Sequence, residues 1–184
     1  MSTTLNPDLT DTVAEAPSAD GGVAPLKLLS VVAILAIVVG SFSILGGLGG
    51  LLYTYQSAAV ENITTPGDAV IAEAPVRGPL TMWAQSEVIT RHQLDRTDGL
   101  RYAEMDRLVP ELDEAGNPVI GEDGEPVLVN NQVRLSWLDA TALTTVLGMG
   151  IIAYAFSAFA IAVGAVLLGI GVVGLKLRRG VVLP

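Results

Sequence analysis

Two uncharged apolar runs, Leu28–Leu52 of 25 residues and Ala140–Leu175 of 36, bracket an acidic and polar middle. About 20 predominantly apolar residues cross a bilayer as one helix, so each run is long enough to span once. The expected fold class is therefore a mainly α membrane protein: two transmembrane helices with a small, mostly helical extracytoplasmic loop domain carrying one β-hairpin. The expected divisions are a disordered cytoplasmic tail (1–25), transmembrane helix 1 (26–52), the loop domain (53–139), transmembrane helix 2 (140–175, its first turns above the membrane) and a cytoplasmic tail (176–184).

The charges indicate an orientation. The two lysines sit at the outer flanks, Lys27 before the first run and Lys176 after the second, the latter followed by Arg178 and Arg179. Basic residues in short flanks stay on the cytoplasmic side, which predicts cytoplasmic termini and an outward-facing loop in the plasma membrane. Tyr53, Tyr55 and Trp137 fall where aromatics suit the outer interface. Ser57-Ala58-Ala59 resembles a signal-peptide cleavage site, but the apolar region is too long and its leading flank too acidic for one, so the first run is read as a retained anchor.

Of the 19 acids, fifteen lie between Glu61 and Asp139, against six arginines. With a net charge of −9 the chain lacks the basic surface that phosphate neutralisation requires, which excludes nucleic acid as a partner. The chain has no cysteine, so disulfides and thiol chemistry are excluded. Neither run contains an acid or a base, which argues against an ion relay.

Small residues four apart stack on one helix face and let another backbone approach. Ser43/Gly47 and Gly46/Gly50 do so in the first run; Ala153/Ser157, Ala160/Gly164 and Ala165/Gly169 do so in the second. These ten residues are the expected helix-packing faces.

In the loop, Gly78-Pro79-Leu80-Thr81 reads as a helix entry, with Leu80, Ala84, Val88 and His92 recurring at helical spacing. A second short helix is expected over Leu100–Leu108, ended by Pro110. Glu114–Ile120 is echoed eight residues later by Glu122–Leu128, each copy a Gly-containing turn followed by proline and two apolar residues. This predicts short strands at Pro118–Ile120 and Pro126–Val129 around a Gly121–Gly124 turn.

His92 is the only histidine. Glu87, Asp95 and Glu104 are acids available to it, but a metal centre needs several converging ligands, and no cofactor is expected. Ser86, His92 and Asp95 supply the residue types of a hydrolytic triad without a nucleophile turn or oxyanion-hole signature. Asn62-Ile63-Thr64 fits the glycosylation sequon, relevant only in a eukaryotic secretory setting.

Asn62-Ile63-Thr64, Val76-Arg77-Gly78-Pro79-Leu80-Thr81-Met82-Trp83-Ala84-Gln85, Glu87-Val88-Ile89, His92 and Tyr102-Ala103-Glu104-Met105-Asp106 together carry a resemblance. With the flanking runs, they resemble an actinobacterial two-pass membrane protein family often labelled "aromatic ring-opening dioxygenase LigA". That label implies an iron site of two histidines and a glutamate, which a chain with one histidine does not assemble by itself. Trp83, Gln85, His92 and Tyr102 are the candidate interface residues of the loop, and the hairpin stretch Glu114–Val129 departs from the shorter loop of that family.

The functional expectation is a non-enzymatic accessory or structural subunit of a bacterial membrane complex, with a respiratory complex as the analogy. Its partners would be the lipid bilayer and other membrane subunits. The alternatives are a homo-oligomeric scaffold, in which the partner is the chain itself, and a dioxygenase-like enzyme.

Overall fold

The computed structural model describes residues 23–182, with side chains for 27–180. The expected disordered tail falls, over 1–22, outside the described residues. The element order is α1 (Val23–Val60), α2 (Pro79–Arg96), a 3-10 turn (Tyr102–Glu104), β1 (Leu108–Pro110), β2 (Leu128–Asn130) and α3 (Gln132–Val182). The protein is mainly helical, with a small two-stranded sheet. Two compact units divide it, Gly40–Val166 and a second one made of 23–39 with 167–182.

Both long helices are long and apolar enough to cross a membrane. α1 runs to Val60, beyond the expected end at Leu52, because Tyr53–Val60 contains neither charge, glycine nor proline. It stops where Asn62 turns left-handed (φ 50°). α3 begins at Gln132, as the long second run suggests. Asn131 caps it, its side-chain oxygen accepting the Arg134 amide at 3.0 Å.

Between the long helices, the segment 61–77 folds around one hydroxyl. Thr65 is 2% exposed. Its Oγ1 donates to Ile71 O at 2.5 Å and accepts the Ala74 amide at 2.9 Å. A main-chain bond from Val76 to Ile63 O (2.9 Å) ties the segment's ends together.

α2 then starts at Pro79, whose fixed φ suits a first helical position. Thr81 Oγ1 accepts the amides of Arg77 and Gly78, both at 3.2 Å, and holds the entry. The single stripe Leu80/Ala84/Val88/His92 is corrected. Leu80 is 70% exposed and His92 is exposed, whereas Met82, Ala84, Val88 and Gln93 are buried. Met82 and Gln93 lie nearly opposite Ala84 at 100° per residue. The helix is covered on two sides, and a two-sided helix shows no single apolar period. Met82 packs with Val76 and Leu147, flanked by Ala58, Ile63, Ile89, Ile151 and Tyr154. Complete burial of a side chain such as Val76 stabilises by about 1.5–3 kcal/mol.

The helix expected over Leu100–Leu108 is also corrected. Gly99 (φ +83°) ends α2, its amide bound to Leu94 O at 2.8 Å. Only the 3-10 turn follows, and Leu108 already belongs to β1, which pairs antiparallel with β2 in the register Leu108↔Asn130, Val109↔Val129 and Pro110↔Leu128.

The expected hairpin proves to be part of a larger device. Ile120 does bridge Pro126 around the Gly121–Gly124 turn, but Leu112 also bridges Pro118, and the regular strands are β1 and β2. Pro110-Glu111-Leu112, Pro118-Val119-Ile120 and Pro126-Val127-Leu128 are three copies of one unit, eight residues apart. Each gives one donor and one acceptor to a closed cycle. Val119 N–H donates to Glu111 O (2.8 Å), Val127 N–H to Val119 O (2.9 Å) and Glu111 N–H to Val127 O (2.7 Å). Gly116 (φ +84°) and Gly124 (φ +83°) hold equivalent left-handed places in the two turns. Asp113 Oδ1 braces the first turn by accepting the amides of Ala115 (2.9 Å) and Asn117 (2.8 Å).

Candidate functional site

Three features stand apart from ordinary packing: a seam between the long helices, a polar cluster on α2, and the face of the three-copy tongue.

The seam is built from small residues. A Cβ placed on Gly47 would lie 2.6 Å from Ser157 O, one on Gly50 2.5 Å from Ser157 Oγ, and one on Gly164 2.6 Å from Gly40 O. In the other unit, a Cβ on Gly171 would lie 2.7 Å from Ala33 O. No methyl fits at these points: at Gly47, Gly164 and Gly171 the facing main chain stands in the way, and at Gly50 the Ser157 hydroxyl does. Of the expected packing residues, Gly47, Gly50, Ser157 and Gly164 lie on this seam. Ser43, Ala153 and Ala160 are half-buried. Gly46 and Gly169 face open space and Ala165 is exposed, which corrects their placement on a packing face between these two helices.

Ala33, Gly40 and Gly171 were not singled out by four-residue spacing. The missed signal has a period of seven in sequence: within the Gly40–Val166 unit Gly40 and Gly47 face Gly164 and Ser157, and within the other unit Ala33 faces Gly171. A seven-residue period returns a small residue to the same helix face every two turns, whereas pairs four apart drift around the helix.

The polar cluster joins the 61–77 segment to α2. Asp68 Oδ2 accepts Arg91 Nη1–H at 3.1 Å and lies 2.6 Å from His92 Nε2, while Asp68 O accepts Arg91 Nη2–H at 2.8 Å. Arg91 Nε–H also donates to Glu87 Oε1 at 3.3 Å. The His92 hydrogen bond, then that of Arg91, holds the Asp68 carboxyl below the ordinary carboxylate value. All three groups are exposed or half-exposed, so the cluster positions a loop and supplies little stability. His92 thus meets Asp68, rather than Asp95 or Ser86 as a triad would require. Among the described residues, no three His, Asp or Glu side chains are grouped as metal ligands.

The remaining predicted loop contacts separate. Trp83 is 51% exposed. Gln85 is half-buried, with its Oε1 enclosed and unpartnered. Tyr102 is engaged within the chain: the Arg134 guanidinium lies 3.7 Å from its ring centroid, and Arg134 Nε–H donates to its carbonyl at 3.0 Å. Trp137, expected at a membrane boundary, is 6% exposed and donates from Nε1 to Leu100 O at 3.0 Å. Its indole N–H serves internal packing, because the 3-10 region folds back over it. Tyr53 and Tyr55 are exposed on α1, as are Lys27 on α1 and Lys176, Arg178 and Arg179 on α3.

On the tongue, alternation along a strand and direct opposition across a pair place side chains on a common face. Pro110, Leu112, Pro118, Ile120, Pro126 and Leu128 therefore share one face. All six are exposed, Leu112 at 59% and both Ile120 and Leu128 at 57%. Between Leu108 and Asn130 stand six acids and no base.

Comparison with protein-family models, with curated proteins and with solved structures returned no match.

Proposed function

We propose that this chain is a two-pass membrane protein of the plasma membrane and serves as a non-enzymatic accessory subunit of a bacterial membrane complex. The observation that carries the reading is the outward face of the two long helices. Phe42 is 72% exposed, Phe156 71%, Ile152 68% and Met149 65%, on runs free of charge. Soluble monomers rarely expose contiguous apolar patches beyond a few hundred Å². Hydrocarbon removes that cost, and both helices satisfy their own main-chain hydrogen bonds, as a lipid environment demands.

In this reading Lys27, Lys176, Arg178 and Arg179 mark the cytoplasmic side and the 61–131 region lies outside. The seam joins the two spans, and the outer region supplies the surface that partners meet. The resemblance to small actinobacterial membrane proteins supports a respiratory complex as the setting, by analogy.

A second reading, a self-associating scaffold, draws on Gly46 and Gly49, which face open space on α1 and allow another helix backbone to approach.

The test is recovery of the tagged native protein in mild detergent, with mass spectrometry and metal analysis on one sample. The expected result is one membrane complex at fixed stoichiometry. A lone monomer would sink the subunit reading, and a crosslinkable homo-oligomer would select the scaffold. Stoichiometric iron lost on His92→Ala would reverse the reading toward an enzyme.

A further inference from the structure

Among the described residues nothing covers the tongue's apolar face, all six of whose residues are exposed. Three prolines and three aliphatic side chains are held outward by a closed cycle of main-chain hydrogen bonds. Bond donors and acceptors at the centre of the cycle are spent on one another, so the face presents side chains rather than main chain. The face itself works by shape and apolar contact.

The charges choose among occupants. Glu111, Asp113, Glu114, Glu122, Asp123 and Glu125 belong to this segment, four of them in the two turns beside the face. A second copy would bring the same acids against these, and like charges juxtaposed across an interface repel. An anionic lipid surface repels them in the same way. A protein surface with an apolar centre and a basic rim satisfies both parts.

We propose that the face formed by Leu112, Ile120 and Leu128 with their three prolines docks a protein partner whose apolar socket is ringed by lysine or arginine. This deepens the accessory-subunit reading and rests on it. Rigidity favours the role: the cycle and the left-handed glycines order the face before contact, so little conformational entropy is lost on docking.

The experiment places a photoreactive amino acid at Leu112, Ile120 or Leu128 in turn, in the full-length protein in its native membrane. Leu80, 70% exposed but outside the tongue, is the control. The expected result is one adduct from all three positions and none from Leu80, with the joined peptide carrying lysine or arginine beside apolar residues. The triple variant Glu114→Lys, Glu122→Lys, Glu125→Lys changes acids that accept no side-chain hydrogen bond within the tongue. It should cut the adduct at least tenfold, and reversing the partner's basic residues should restore it. Slow amide exchange at Val119 and Val127 certifies that the variant keeps its cycle. An adduct with a second copy, an adduct only with lipid, or a yield unchanged by charge reversal overturns the proposal. So does a yield at the three positions no higher than at Leu80. Recovery of an intact complex without a tongue adduct would overturn this face alone, whereas failure to recover any complex from the wild-type protein would overturn the subunit reading.

Discussion

Alanine substitutions along the helices separate close approach from helix propensity. At Gly164 a Cβ would stand 2.6 Å from Gly40 O, 2.7 Å from Ile44 Cγ1 and 3.0 Å from Ile44 N. Two of these neighbours are main-chain atoms and cannot rotate aside. Real Cβ contacts essentially never fall below 3.0 Å, so Gly164→Ala must move α1 from α3 by about 0.4 Å locally. Overpacking of this kind costs about 1–3 kcal/mol. Replacing a helical glycine by alanine returns about 1 kcal/mol, leaving a net loss of about 0–2 kcal/mol. At Gly46 nothing lies within 4 Å, so only the gain of about 1 kcal/mol remains. The two variants should thus differ by about 1–3 kcal/mol, or roughly 2–12 °C in Tm for a chain of this size. Thermal unfolding of each purified variant in mild detergent, followed by circular dichroism, reads the difference. Gly46→Ala should melt above Gly164→Ala, with the wild-type protein between or level with the latter. Equal upward shifts in both would refute the argument, because they would mean that α1 and α3 do not touch at Gly40 and Gly164.

Tyr154 donates its hydroxyl to Arg77 O at 2.5 Å, so Tyr154→Phe should cost about 1 kcal/mol in the same melting assay; an unchanged Tm would show the bond to be absent in solution. Gly124→Ala forces a side chain into φ +83° and should cost roughly 1–2 kcal/mol, visible as faster amide exchange at Gly121, whose N–H is held by Glu125 O. Asp68 titrates below the ordinary value of 3.8, so its link to His92 and Arg91 is complete above that value and lost as pH falls through the depressed one. His92→Ala should move the Asp68 midpoint back toward 3.8 in a carboxyl-resolved NMR titration, and an unmoved midpoint would remove His92 as the cause.

The long helices were legible from the uncharged runs because main-chain bonding within a helix is local and hydropathy records it directly. Their packing was half legible. Small residues announced close approach, but spacing by four selected Gly46, Ala165 and Gly169 and passed over Ala33, Gly40 and Gly171, whose period is seven. α2 was read as one-sided because Ala84 and Val88 do form a stripe. Met82 and Gln93 are buried on the far side by elements distant in sequence, including Ser136, whose Oγ accepts from Gln93 Nε2 at 2.6 Å. The tongue's eight-residue repeat was visible in two copies. The first copy escaped because it carries Glu111 where the others carry valine, although its amide and carbonyl take the same places in the cycle. Tyr102 and Trp137 looked like surface aromatics, and only the return of the chain over α3 assigns them to Arg134 and Leu100.

The closed ring of the tongue also limits how this protein can vary in length. Its three members recur at intervals of eight because each turn must return the chain to the next donor in phase. Insertion of one residue between Pro110 and Leu128 flips every later side chain to the opposite side and breaks a link of the ring. Deletion of a whole unit leaves two strands with no third side. Heritable change in this stretch is therefore confined to substitution, and within the turns it spares the left-handed Gly116 and Gly124 and the bracing Asp113, because a ring of two is no ring.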